Sequence, residues 1–86
     1  MVPRRVTIYY ERNYMRVKIR LDTNSDLLKF IRTVTAINED VTIDDGVGNR
    51  VSAKSLLGCA YAKMEFDNIY CECSKDISGR LLDFII

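Results

Sequence analysis

Histidine is absent from this chain of 86 residues. That absence removes every Ser/His and Cys/His nucleophile pair and every His-ligated zinc site. Only Cys59, Cys71 and Cys73 remain as thiol ligands, and a structural zinc site takes four donors. The expectation is no metal, no cofactor and no enzymatic chemistry. An odd number of cysteines also fits poorly with a disulfide framework, so free thiols in a reducing compartment are expected. Neither sign of charge dominates: 13 Lys and Arg stand against 12 Asp and Glu, a net +1. A charge so close to zero argues for no nucleic-acid partner and no membrane surface. No apolar run approaches the length of a membrane span. The basic start, Met1-Val2-Pro3-Arg4-Arg5, leads into residues that alternate in polarity from Val6 to Arg20, unlike the apolar core of a signal peptide. The chain is read as cytoplasmic. Internal repeats, low-complexity tracts and linkers are also lacking.

What is present suits one soluble globular domain, residues 1–86. Apolar residues make up 48% and charged residues 29%, enough to bury a single core.

Period-two alternation opens the chain. Val6-Thr7-Ile8-Tyr9-Tyr10 is a first strand, and Glu11-Arg12-Asn13 a hairpin turn. From Met15 to Leu21, Met15, Val17, Ile19 and Leu21 share one face and Arg16, Lys18 and Arg20 the other, as in a strand between core and water. The basic stripe reads as a solvated sheet face rather than a phosphate site. Asp22-Thr23-Asn24-Ser25-Asp26 favours a helix start. A helix follows on the stripe Leu27, Leu28, Phe30, Ile31, Val34 and Ile37, with Asp26 in its first turn, and Asn38-Glu39-Asp40 ends it. Val41-Thr42-Ile43 is a strand, and Asp44-Asp45-Gly46-Val47-Gly48-Asn49 a turn. The acidic pair falls short of a calcium loop, and the glycines lie too far from Lys54-Ser55 for a phosphate-binding P-loop. Arg50-Val51-Ser52 returns as a strand. A helix from about Lys54 to Lys63 comes next, either buried all round or exposing Leu and Tyr near Ser55 as a docking patch. After the turn Glu65–Asn68, Ile69 to Cys73 is a strand with Ile69, Cys71 and Cys73 inward as small core residues. Ser74-Lys75-Asp76 caps a last helix that buries Leu81, Leu82, Phe84 and Ile85.

Val51-Ser52-Ala53-Lys54-Ser55-Leu56-Leu57-Gly58 carries the most functional content. It turns a strand straight into a helix with Ser55 at the joint. A serine there accepts from one of the first backbone N–H groups, which otherwise lack partners. A phosphate on that serine would meet the same donors and the positive end of the helix dipole.

The order of elements predicts an α+β fold, a mostly antiparallel sheet with helices on one face. The stripe Leu27/Phe30/Ile31/Val34, the run Asp40-Val41-Thr42-Ile43 and the segment Val51 to Gly58 resemble the HPr family, the phosphocarriers of bacterial sugar uptake. The resemblance spans residues 15–86, with residues 1–14 as an added N-terminal strand or hairpin. It implies an HPr-like open-faced β-sandwich, four antiparallel strands covered on one face by three helices. It implies a bacterial cytoplasm, a part in the regulation of sugar transport, and protein partners from the phosphotransferase system or a serine kinase. In Gram-positive relatives a kinase phosphorylates the serine matching Ser55. The family's Gly-Leu-His-Ala-Arg-Pro segment is replaced here by Leu21-Asp22-Thr23-Asn24-Ser25-Asp26, so the active-site histidine position falls at Thr23 or Asn24.

Two functions are carried forward. The first is a non-catalytic HPr-like regulator with Ser55 as the phosphorylation candidate and Lys54, Leu56, Leu57 and Gly58 as the docking surface, Lys54 partly offsetting the phosphate charge. The alternative is a structural or interaction module, monomeric or paired as a homodimer through the N-terminal hairpin.

Overall fold

The computed structural model describes residues 9–11 and 14–86, with side chains from Tyr14 onward. Of the strand expected over residues 6–10 and the turn expected over residues 11–13, residues 6–8 and 12–13 lie outside the described residues, and Glu11, expected in the turn, is the last residue of a strand. The elements are β1 (Tyr9–Glu11), β2 (Tyr14–Ile19), α1 (Asn24–Thr35), β3 (Val41–Asp44), β4 (Arg50–Ser52), α2 (Leu56–Glu65) and β5 (Ile69–Cys73). The strands form one antiparallel sheet in the order β1-β2-β5-β3-β4. The fold is α+β, an open antiparallel sheet with two α-helices.

Register turns the period-two pattern into two distinct faces. Met15 pairs with Cys73 and Cys73 with Val41; Val17 pairs with Cys71 and Cys71 with Ile43. All of these are buried, together with Leu27, Phe30 and Val34 of α1 and Cys59 and Ala62 of α2. Phe30 meets Phe84 edge to face, with ring centroids 5.4 Å apart. On the opposite face Arg16 pairs with Glu72 and Glu72 with Thr42, while Asp44 pairs with Tyr70 and Arg50.

The buried stripe of α1 is narrower than expected. Leu28 lies about 100° round the helix from Leu27 and is exposed. The N-terminus closes on itself: Thr23 Oγ1 accepts from the Asp26 N–H at 3.0 Å, and the Asp26 carboxylate accepts from the N–H groups of Asp22 and Thr23. This is a reciprocal capping box.

The expected third α-helix does not form. Residues Ser78–Arg80 make one 3-10 turn. The Asp76 carboxylate accepts from the N–H of Ser78 at 3.0 Å and from its hydroxyl at 2.7 Å, which holds a turn instead. Gly79 disfavours helix by roughly 1 kcal/mol, and so short a segment gains too little to nucleate one. The segment is held by the edge of β2: Ile85 bridges Ile19, Arg20 N–H donates to Phe84 O and Ile86 N–H to Lys18 O. Leu81 and Phe84 are buried as expected. Leu82, expected inside, is 72% exposed, and Ile77 takes a place in the core instead.

Candidate functional site

The helix α2 begins at Leu56, slightly later than the expected Lys54, and Ser55 is its N-cap at the joint between strand and helix, as expected. Ser55 has extended backbone (φ −94°, ψ 120°), and its Oγ accepts from the Gly58 N–H at 3.0 Å. One of the unpaired donors of the helix start is thereby satisfied. Ser55 is half-buried, neither in a strand nor under the core. No acidic residue lies in the first turn of α2, in contrast to α1, whose own Asp26 already occupies the donors at its start.

Gly58 makes this closeness possible. A Cβ at that position would stand 3.1 Å from Val51 Cβ and 3.2 Å from Ser55 Oγ. A side chain there would require Val51 or the Ser55 cap to give way by a few tenths of an ångström. The thiol of Cys59 lies 3.2 Å from the carbonyl oxygen of Ala53, inside the same corner. Burial pushes its pKa up to about 11, and burial raises that of Cys71 further still. Neither buried thiol has the lowered pKa of a reactive cysteine.

Of the expected docking residues, Leu56 and Leu57 are exposed, Leu57 at 83%. Tyr61 and Met64 follow Leu57 at helical spacing and are exposed as well, so α2 carries an apolar strip on its outer side. The helix is therefore not buried all round. Lys54 behaves differently from expectation. Its ammonium does not stand over the helix start but donates to the Ile37 carbonyl oxygen at 2.5 Å, at the end of α1. Thr23 and Asn24, expected from the resemblance at the place of a lost histidine, are the N-cap and first residue of α1, with Thr23 engaged in the capping box.

A second cluster lies on the open face of the sheet. Arg16 donates to both oxygens of Asp44, at 2.7 and 2.9 Å, and to Glu72 at 3.0 Å. Arg50 reaches Glu72 at 3.2 Å, and the Tyr14 hydroxyl also donates to Glu72. The Arg16 guanidinium lies 4.6 Å from the centroid of the Tyr70 ring. Asp44, only 5% exposed, also accepts from the Gly46 N–H at 2.8 Å. Burial works against the charge of Asp44. The Arg16 hydrogen bonds, the Gly46 N–H and the charges of Arg16 and Arg50 together outweigh it and hold the carboxyl below its usual range. Burial, with Glu72 beside it, pushes the Tyr14 phenol up to about 12. Arg16 is thus not part of a solvated basic stripe. Its charge is neutralised in place, which leaves this face poorly suited to holding a phosphate.

The turn after β3 is closed by its own side chains. Asp45 accepts from the N–H groups of Val47 and Asn49 at 2.9 and 3.0 Å and from the Asn49 side chain at 2.5 Å. Its oxygens are occupied as turn formers, and Gly46 and Gly48 supply the positive φ angles (81° and 113°) the turn requires. Among the described residues no group of His, Cys, Asp and Glu is arranged to hold a metal ion, and no helix is long and apolar enough to cross a membrane.

No family model matches the chain, and no curated protein or solved structure matches it either.

Replacing Ser55 by Ala is expected to lower the unfolding free energy by about 1 kcal/mol, the usual cost of a lost N-cap. Urea denaturation measures it, and an unchanged midpoint would mean that the Gly58 bond contributes nothing.

Proposed function

We propose that the chain is a non-catalytic, HPr-like regulatory protein that acts by binding other proteins through the start of α2, under the control of a phosphate on Ser55. The observation that carries this reading is the place of the Ser55 hydroxyl. It sits at a helix mouth, partly open to solvent, with exposed Leu56 and Leu57 beside it and no acidic residue in the helix's first turn. The sheet with its core on one face and its polar residues on the other supports the wider kinship to an HPr-type open-faced sandwich with an added N-terminal strand. The partners are phosphotransferase-system proteins or a serine kinase in a bacterial cytoplasm.

The phosphoryl group comes from a nucleoside triphosphate on the kinase. The bond from phosphorus to the β-phosphate oxygen breaks, the Ser55 Oγ–P bond forms, and the hydroxyl proton goes to the kinase's base. The product adds about −1.5 to −2 charges at the helix start, where backbone N–H groups and the helix dipole favour an anion. That charge beside Leu56 and Leu57 changes what the apolar strip can bind.

An HPr-type serine kinase with ATP is expected to place one phosphate on this chain, at Ser55 by fragment mass spectrometry. Ser55→Asp is expected to shift affinity for a docked partner by about tenfold, or 1.4 kcal/mol. No phosphate on Ser55, together with partner binding unchanged by Ser55→Asp, overturns the reading.

A further inference from the structure

Lys54 ties two parts of the molecule together. Its backbone N–H donates to Ser52 Oγ at 3.2 Å, within the link from β4 to α2. Its ammonium donates to the Ile37 carbonyl oxygen at 2.5 Å, seventeen residues back in the chain. Ile37 closes α1: its own N–H donates to Val34 O at 3.0 Å and its side chain is buried. Ile37 lies one residue past the C-cap Ala36, and a cation placed just beyond a helix C-terminus complements the dipole. Beyond Ile37 opens a cleft of about 530 Å³, lined among others by Asn38, Glu39, Lys75, Asp76 and Arg80. Lys75 reaches Glu39 across it at 3.5 Å.

Ser55 follows Lys54 directly. Among the described residues the ammonium's partner is a neutral carbonyl oxygen, and a dianion on the next residue would be a stronger one. The lysine stem of four carbons turns readily from one to the other. We propose that Lys54 is a latch between Ser55 and the end of α1: a phosphate on Ser55 draws the ammonium off the Ile37 carbonyl and loosens the α1 side of the cleft. The idea rests on the reading of Ser55 as a phosphorylation site and adds what the modification does inside the molecule. The phosphate then alters two surfaces at once, the strip on α2 by its charge and the wall of the cleft by releasing it. Lys75 and exposed Arg80 stand on the other side of that cleft, and Lys75 meets Glu39 of the α1 side across it.

The experiment uses the full chain with phosphoserine installed at position 55 during synthesis, so that no kinase or partner takes part. Amide hydrogen exchange is followed at Ile37 and the next three residues. Exchange is expected to rise by about fivefold or more when the phosphate is present, as local opening becomes easier. Lys54→Met is expected to raise it to a similar extent without phosphate, and phosphoserine added to Lys54→Met is expected to give no further rise. Exchange unchanged or slowed by phosphoserine overturns the latch, as does an equal acceleration in the Lys54→Met background. The phosphoserine comparison stands alone if Lys54→Met fails to fold. Failure here leaves docking through α2 untouched, and failure of a kinase to modify Ser55 leaves the latch untouched.

Discussion

Phe30→Ala is expected to lower the unfolding free energy by about 3–5 kcal/mol, a large share of what a domain of this size has. Phe30 is fully buried, and its ring packs edge to face with that of Phe84 from the C-terminal segment. Truncation removes the transfer energy of the ring and leaves a cavity between two parts of the chain that lie far apart in sequence. Urea denaturation followed by circular dichroism gives the value. Leu28→Ala on the same helix, 52% exposed, serves as the contrast and is expected to change stability by well under 1 kcal/mol. A Phe30→Ala cost no larger than that of Leu28→Ala would mean that α1 does not pack on the sheet as described.

The second large effect is expected on the open face. Asp44→Ala leaves Arg16 with Glu72 as its remaining carboxylate and strips the Gly46 N–H of its acceptor. Breaking a buried pair from one side costs about 3–5 kcal/mol. Arg16 keeps one partner and some access to water, so about 2–3 kcal/mol is expected. The same group sets a pH dependence. The pKa of Asp44 is lower in the folded state than its ordinary value, so its contribution is present above the unfolded pKa of about 3.9 and is lost as pH falls through the folded value. The urea midpoint of the natural chain should therefore fall in acid, and Asp44→Asn should flatten that part of the profile. A profile equally steep in both proteins would place the acid sensitivity elsewhere.

Much of the fold was legible because its signals are local. Val17 and Ile19 alternate with Arg16 and Lys18, and Arg50-Val51-Ser52 is bounded by turn residues, so β2 and β4 fall close to where expected, while Glu11, expected in a turn, belongs to β1. The cluster at residues 22–26 marks a helix start, and the structure makes it a capping box between Thr23 and Asp26. Ser55 as a helix-start residue was legible for the same reason, although the helix begins just beyond it rather than at Lys54. The C-terminal segment misled because Leu81, Leu82, Phe84 and Ile85 carry an apolar pattern compatible with a helix. The bridge from Ile85 to Ile19 at the end of β2 and the Asp76 turn decided otherwise. The ion network was missed for a different reason. Arg16, Asp44 and Glu72 lie on three strands far apart in sequence. Alternation places Arg16 and Glu72 outward, whereas Asp44, expected in a turn, is instead the last residue of β3. Only the register brings the three together, and nothing local states the register.

Composition, spacing and periodicity by themselves determined an α+β domain without histidine chemistry, with one row of each strand inward and a hydroxyl at the mouth of the second helix. These are properties of single residues and near neighbours, and short-range geometry suffices for them. Tertiary structure alone decided that Arg16 is neutralised by Asp44 and Glu72, that the chain's last residues cover a strand edge rather than coil, and that Lys54 turns to the end of α1. Each of those depends on which distant groups arrive within hydrogen-bond reach, and that is settled by packing the whole chain around one core.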